Sequence, residues 1–164
     1  MNTLIKHTIK QLIEVQKGKL WIGRSYYSIL NTIDHDLVFI KPTKTLHSIA
    51  EIISHLTLWR NEAILKIKTG TGSKTDDCEE NWLTNKKLKL KGWAKIKSEY
   101  DNSLSQLIAL LKDKDDTFLK ENYYDTDFKG MYEYRFLING MLHHDIYHLG
   151  QLGIIIRHLK EKDS

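Results

Sequence analysis

His144 and His148 stand four residues apart in HHDIYHLGQLGIII, a stretch whose apolar residues recur every three or four positions. On a helix that spacing projects both imidazoles from successive turns of one face. Neutral imidazole is the commonest side-chain metal ligand, and such a pair brings two ring nitrogens within reach of one ion. A third candidate, His55, lies in SIAEIISHLTLWR, on the flank of a second apolar stripe and one turn before Trp59. Helical bundles build metal sites in this way, from inward side chains on facing helices. The plainer alternative is a set of core histidines whose nitrogens find partners within the protein. Two imidazoles side by side on a core face, with a third opposite them, weigh toward coordination.

The elements that must position these residues follow from the period of the apolar side chains. Residues 2–16 carry Leu4, Ile5, Ile9, Leu12 and Ile13 at helical steps. Ser25 is placed to cap a second helical piece, with Tyr26, Ile29, Leu30 and Ile33 on one side. Residues 46–67 predict a helix with Ile49, Ile52, Ile53, Leu56, Trp59 and Ala63 as its stripe, and Pro42 closes whatever precedes it. The segment 68–82, KTGTGSKTDDCEENW, keeps no period and reads as a long loop. Trp93, Ile96, Tyr100, Leu104, Leu107 and Leu111 then predict a helix of about five turns. Residues 113–130 are polar and irregular, and no convincing strand stands out. The last helix is expected over 131–160, with Leu137, Met141, His144, His148, Leu152, Ile155 and Leu159 in line. Several long amphipathic helices without strands predict an all-α bundle. A chain of 164 residues fits a single domain, 1–164.

Composition excludes several classes. Cys78 is the only cysteine, so an internal disulfide, a CxxC redox pair and a Cys-ligated zinc knuckle are all ruled out. It sits among Asp76, Asp77, Glu79 and Glu80, surroundings unsuited to a nucleophile. No apolar run is long enough to span a membrane, and the N-terminal stretch lacks the apolar core of a signal peptide. A cytoplasmic location is expected. The formal charge of +4 permits an anionic partner. The lysines of 86–97 have no interleaved stacking aromatics or reader motif, so they read as a solvated face and nucleic-acid binding is not expected.

HDIYHLGQLGIII at 144–156 resembles the signature of the DinB/YfiT-like superfamily, HDxYHxGQ followed by apolar residues. SIAEIISHLTLWR at 48–60 is similar to the second-helix motif of that family. WIGRSYYSIL at 21–30, with Trp82 and Trp93, is like one of its branches. The resemblance spans about 20–160. It implies a four-helix bundle, up-down with one long crossover, and a divalent metal held by His55, His144 and His148. It also implies, for some members, thiol-dependent transfer or isomerisation with a low-molecular-weight thiol cofactor.

Three neutral ligands leave coordination positions open, the pattern of a catalytic metal. Such an ion acidifies a bound water for hydrolysis or a bound thiol for transfer, and zinc or nickel, and also iron or manganese, accept this donor set. Ligation needs neutral imidazoles, so affinity is expected to fall below about pH 6. Trp59 is expected to wall the pocket. Asp145 either orients a ligand or joins an interhelical salt bridge; Tyr147 lines the pocket or packs; Gln151 is placed to hydrogen-bond a ligand or the backbone. His143 points away, to the surface or to the ligands' surroundings. The expected function is metal-dependent transfer or hydrolysis on a small-molecule substrate, in a chain able to form a homodimer. The rival reading is a non-catalytic bundle with a vestigial His cluster, acting through oligomer or partner contacts.

Overall fold

The structure, a computed structural model, describes residues 2–162. Helices α1 (Thr3–Lys17), α3 (Ile49–Thr69), α5 (Trp93–Lys112) and α6 (Tyr134–Lys162) form the bundle, with short helices α2 (Tyr26–Leu30) and α4 (Asn85–Lys91) in the connections. α1 and α3 each pack against both α5 and α6, and so face each other across a diagonal. Three levels of contact fix the directions. Tyr134 meets Lys66, Asp145 meets Arg60, and His148 and His144 meet His55, so α6 runs antiparallel to α3. Ser48 meets Asn85 of α4, which leads into α5, and Arg60 meets Tyr100 of α5, so α5 runs parallel to α3. Parallel neighbours need a long return connection, and residues 70–84 supply it, running back along α3. This is the crossover the resemblance implied.

The core follows the stripes. Ile5, Ile9 and Leu12 of α1 are buried, whereas Leu4 and Ile13, on the edge of the same stripe, stay exposed. Helix α3 starts at Ile49, three residues later than its apolar period suggested, because a capping box intervenes. Ser48 Oγ accepts from Glu51 N at 3.1 Å, and Glu51 Oε2 accepts from Ser48 N at 2.9 Å. Gly70, at φ 75°, ends the helix in the left-handed region. The lysine-rich run is partly helical: Thr84 caps α4, and Gly92 at φ 83° turns the chain into α5. Its lysines remain on the surface and several pair with Glu99 and Asp101.

A correction concerns residues 113–133. A 3-10 turn, Phe118–Lys120, leads into an antiparallel hairpin of β1 (Asn122–Asp125) and β2 (Gly130–Glu133), paired from Asn122↔Glu133 to Asp125↔Gly130. Strands of four residues are too short to show alternation convincingly. What holds this hairpin is polar and non-local. Asp125 accepts from Asp127 N and Phe128 N across the turn, from Tyr123 Oη at 3.0 Å, and from Lys66 Nζ of α3 at 2.8 Å. Because Met131–Glu133 belong to β2, α6 begins at Tyr134 and not at 131. Among the described residues, no helix is long and apolar enough to cross a membrane.

Candidate metal centre

The antiparallel packing of α6 on α3 brings His55, His144 and His148 together. His144 Nε2 lies 2.9 Å from His55 Nε2 and 3.0 Å from His148 Nε2. Nitrogens sharing one zinc ion at about 2.0–2.1 Å stand roughly 2.8–3.4 Å apart in octahedral or tetrahedral arrangements, so the cluster is close to the size of a coordination face. His55 and His148 are buried, and the three rings meet edge-on.

The other ring nitrogens decide what these Nε2 atoms offer. His55 Nδ1 lies 3.1 Å from the carbonyl of Asn81, which can only accept. His148 Nδ1 lies 2.7 Å from Gln151 Oε1. The Asn81 carbonyl puts the proton on His55 Nδ1, and with the Gln151 amide turned so that Oε1 faces His148 the same tautomer follows there, so each Nε2 presents a bare lone pair toward the others. One proton on His144 cannot satisfy both neighbours well. The donor set fits a divalent cation better than it fits a self-contained hydrogen-bond network.

Burial keeps the rings neutral. Desolvation, reinforced by mutual repulsion with His148 and His55, lowers His144 to about 3. Desolvation and His55 lower His148 to about 4, against the Gln151 hydrogen bond. His55 is lowered too, mainly by burial, with Asn81 opposing. Proton competition with a metal is thus displaced below the pH 6 expected of ordinary imidazoles. In the metal-free protein, the unfolded chain takes up protons first as pH falls below about 6.5, since the folded rings stay neutral. The histidine contribution to stability is therefore complete above that pH and is lost progressively toward pH 4. Urea midpoints from pH 7.5 to 4.5 are expected to fall more steeply for the wild type than for the His144→Ala/His148→Ala double variant. Equal slopes would remove the histidines as the source.

Several sequence expectations are resolved around this cluster. Trp59 walls the pocket, and its Nε1 donates to Asn81 Oδ1 at 2.9 Å. Tyr147 is exposed at the rim, edge-on to His148 at 5.0 Å between ring centroids. His143 is on the surface. Gln151 is the hydrogen-bond partner of the His148 ring. Gln151→Leu is expected to weaken metal binding about 10- to 100-fold while leaving the fold intact, as measured by competition with a chromophoric chelator. Unchanged affinity would show that the amide does not orient His148. Asp145 does not touch any of the three rings. It is buried, with Oδ1 accepting from Arg60 at 2.9 Å and Oδ2 from Gln16 at 2.9 Å. Of its two expected roles it has the interhelical one.

Sequence reasoning missed Asn81 as a partner of His55 and Trp82 as its support. The Trp82 indole is sandwiched between His47, at 3.6 Å and 8°, and His55, at 4.0 Å and 7°. Both residues come from the return connection, whose path no local pattern reveals. Arg60 was legible in principle, as a lone cation on a buried stripe opposite a lone acid at Asp145.

Fold and site together define a four-helix-bundle protein with a three-histidine cluster between its second and last long helices. A model of the DinB superfamily matches residues 23–152, most of the chain, and the protein belongs to that superfamily. Two solved structures from Bacillus subtilis share the fold. One is a DinB-like protein, 16% identical, with TM-score 0.64 over 97% of this chain and 92% of that one. The other is YfiT, described as a probable metal-dependent hydrolase with an unusual four-helix bundle topology. It is 11% identical, with TM-score 0.67 over 95% of this chain and 87% of that one. No functionally curated protein matches the chain significantly.

Proposed function

We propose that His55, His144 and His148 hold a divalent cation and that the protein is a metal-dependent hydrolase of small molecules. The observation that carries this reading is the pair of fixed Nε2 lone pairs, on His55 and His148, converging with His144 beside an open pocket of about 580 Å³. When bound, the cation supplies Lewis acidity and acidifies the group that attacks the substrate. The chain's own part is to orient the rings through Asn81 and Gln151, to keep them neutral by burial, and to shape the pocket. The description of YfiT supports hydrolysis as the reaction class. Imidazole donors favour zinc or nickel over harder cations. A low-molecular-weight thiol as the attacking group is the transferase form of the same reading.

Protein purified without a histidine tag is expected to contain, or take up, about one zinc or nickel ion per chain, and to turn over members of an ester and amide panel. Chelation should abolish turnover, and added metal should restore it. A parallel panel of electrophiles with cysteine, bacillithiol-type and glutathione-type thiols separates transfer from hydrolysis. Absence of metal uptake at pH 7.5 would overturn the enzyme reading and leave the non-catalytic bundle.

A further inference from the structure

The pocket beside the histidines carries five charged side chains, but the fold already engages them. Glu62 accepts from Ser73 N, Lys74 N and Ser73 Oγ, and so holds the return connection against α3. Lys66 pairs with Asp125, and so holds the hairpin. Asp127 accepts from Asp76 N at 2.8 Å, joining these two walls, and Asp76 accepts from Asn81 Nδ2 at 3.0 Å within the return connection. Between these charged walls and the histidines runs a strip of apolar side chains. Trp59 and Ala63 of α3 lie one and two turns beyond His55, and Met141 and Leu137 of α6 lie about one and two turns before His144. This face extends about 12 Å from the histidines to the hairpin. There it meets Phe128 and Phe136, which are 59% and 48% exposed with ring centroids 5.8 Å apart. Tyr132, stacked on Phe136 at 4.8 Å and 5.8 Å from Phe128, ties the two rings to the hairpin, and their outer faces stay open at the mouth of the pocket. Gly140, one turn before His144, widens the slot, and a Cβ there would meet nothing within 4 Å.

Building on the metal reading, we propose that the substrate is an uncharged aryl- or alkyl-tailed molecule, with its polar reacting head at the three histidines and its tail in the slot running to Phe128 and Phe136. Ligand pockets commonly divide recognition in this way, with apolar walls and few polar anchors. A carboxylate tail would meet four acidic side chains against one lysine along the walls, and an ammonium tail would leave water for carboxylates that already accept hydrogen bonds.

The test uses hydroxamic acids as metal-seeking heads on zinc-loaded protein, with affinities read by titration calorimetry. 4-Phenylbutanohydroxamic acid is expected to bind about 30- to 100-fold tighter than acetohydroxamic acid, from the apolar surface it buries. Tails of similar length ending in an ammonium or a carboxylate should gain less than about threefold over acetohydroxamic acid on the same grounds. Gly140→Leu, which fills the slot, should remove most of the phenyl gain while keeping zinc content and acetohydroxamate affinity. Phe128→Ala, at the exposed mouth, should remove part of it. A charged tail binding as tightly as the phenyl tail, or a phenyl gain untouched by both substitutions, overturns the proposal. Phenyl-dependent binding that is indifferent to zinc overturns the metal reading and leaves the apolar slot standing.

Discussion

His144→Ala is expected to lower metal affinity by roughly two to three decades, and His55→Ala and His148→Ala by similar factors. Apparent zinc binding energies of about 10–16 kcal/mol in four-ligand sites correspond to roughly 2.5–4 kcal/mol per ligand. The metal-free variant should fold. Position 144 is half-buried in the middle of a helix of 29 residues, and alanine is a better helix former than histidine. Removing one imidazole also relieves the crowding of three neutral rings whose lone pairs converge. The useful measurement is therefore a difference: melting temperature with saturating zinc minus melting temperature after chelation. At a free zinc concentration about a thousand times the dissociation constant, the wild type gains about 4 kcal/mol, or roughly 8–16 °C for a chain of this size. In each single variant the same free zinc is only about 1–10 times the dissociation constant, so the gap should shrink to about a third or less, while the chelated midpoint stays near that of the wild type. A gap of wild-type size in all three variants would place any bound metal elsewhere. A chelated wild type that is unfolded at 25 °C would make the metal structural, contrary to the large apolar core that α1, α3, α5 and α6 share.

The helices and the clustered histidines were legible because both rest on short-range regularities. A period of three and four marks a buried face, and two histidines on that face at the same period announce themselves. His55 was legible through its motif and its stripe. The surroundings of the site were not legible, because they depend on where a connection without periodicity returns. Asn81 and Trp82 reach His55 across 26 and 27 positions of sequence, along a path determined by the buried Glu62 and its contacts to Ser73 and Lys74. The hairpin was hidden for a related reason. Its anchor is Asp125 bound to Lys66, an ion pair between segments 59 residues apart. Asp145 shows the limit of helix geometry alone. The spacing placed it to one side of the histidine row, which is correct, but a sideways residue is exposed or buried according to which helix lies beside it. Here α1 and α3 both do, supplying Gln16 and Arg60.

Arg60→Met is expected to destabilise the protein by about 3–5 kcal/mol, a large part of the roughly 5–15 kcal/mol available to a domain. Arg60 and Asp145 are each 1% exposed, and the guanidinium donates to Oδ1 at 2.9 Å. Against burial, which lowers it, the Asp145 carboxylate and Tyr100 raise the Arg60 pKa, so the guanidinium stays charged. It also lies 4.2 Å over the Tyr100 ring, whose hydroxyl donates to Gln16 at 2.5 Å. One cation thus ties α3 to α5 and α6, and its acid ties α6 back to α1. Methionine retains much of the apolar volume and leaves the Asp145 carboxylate buried with only the Gln16 amide for company. Burial already raises the Asp145 pKa, with Arg60 opposing. Without Arg60 that opposition is gone, so the carboxyl of the variant should rise further and fold best when protonated. A raised carboxyl favours folding at acid pH and loses that contribution as pH climbs through the folded-state pKa. The deficit of Arg60→Met in urea midpoint should therefore be larger at pH 8 than at pH 5, the reverse of the trend expected from the neutral histidines. The double variant Arg60→Met/Asp145→Leu removes both charges and should recover most of the loss, because a packed apolar pair substitutes well for a buried ion pair once neither partner is stranded. A double variant as unstable as the single one would mean that the pair's hydrogen bonds to Tyr100 and Gln16, and not the stranded charge, account for the cost.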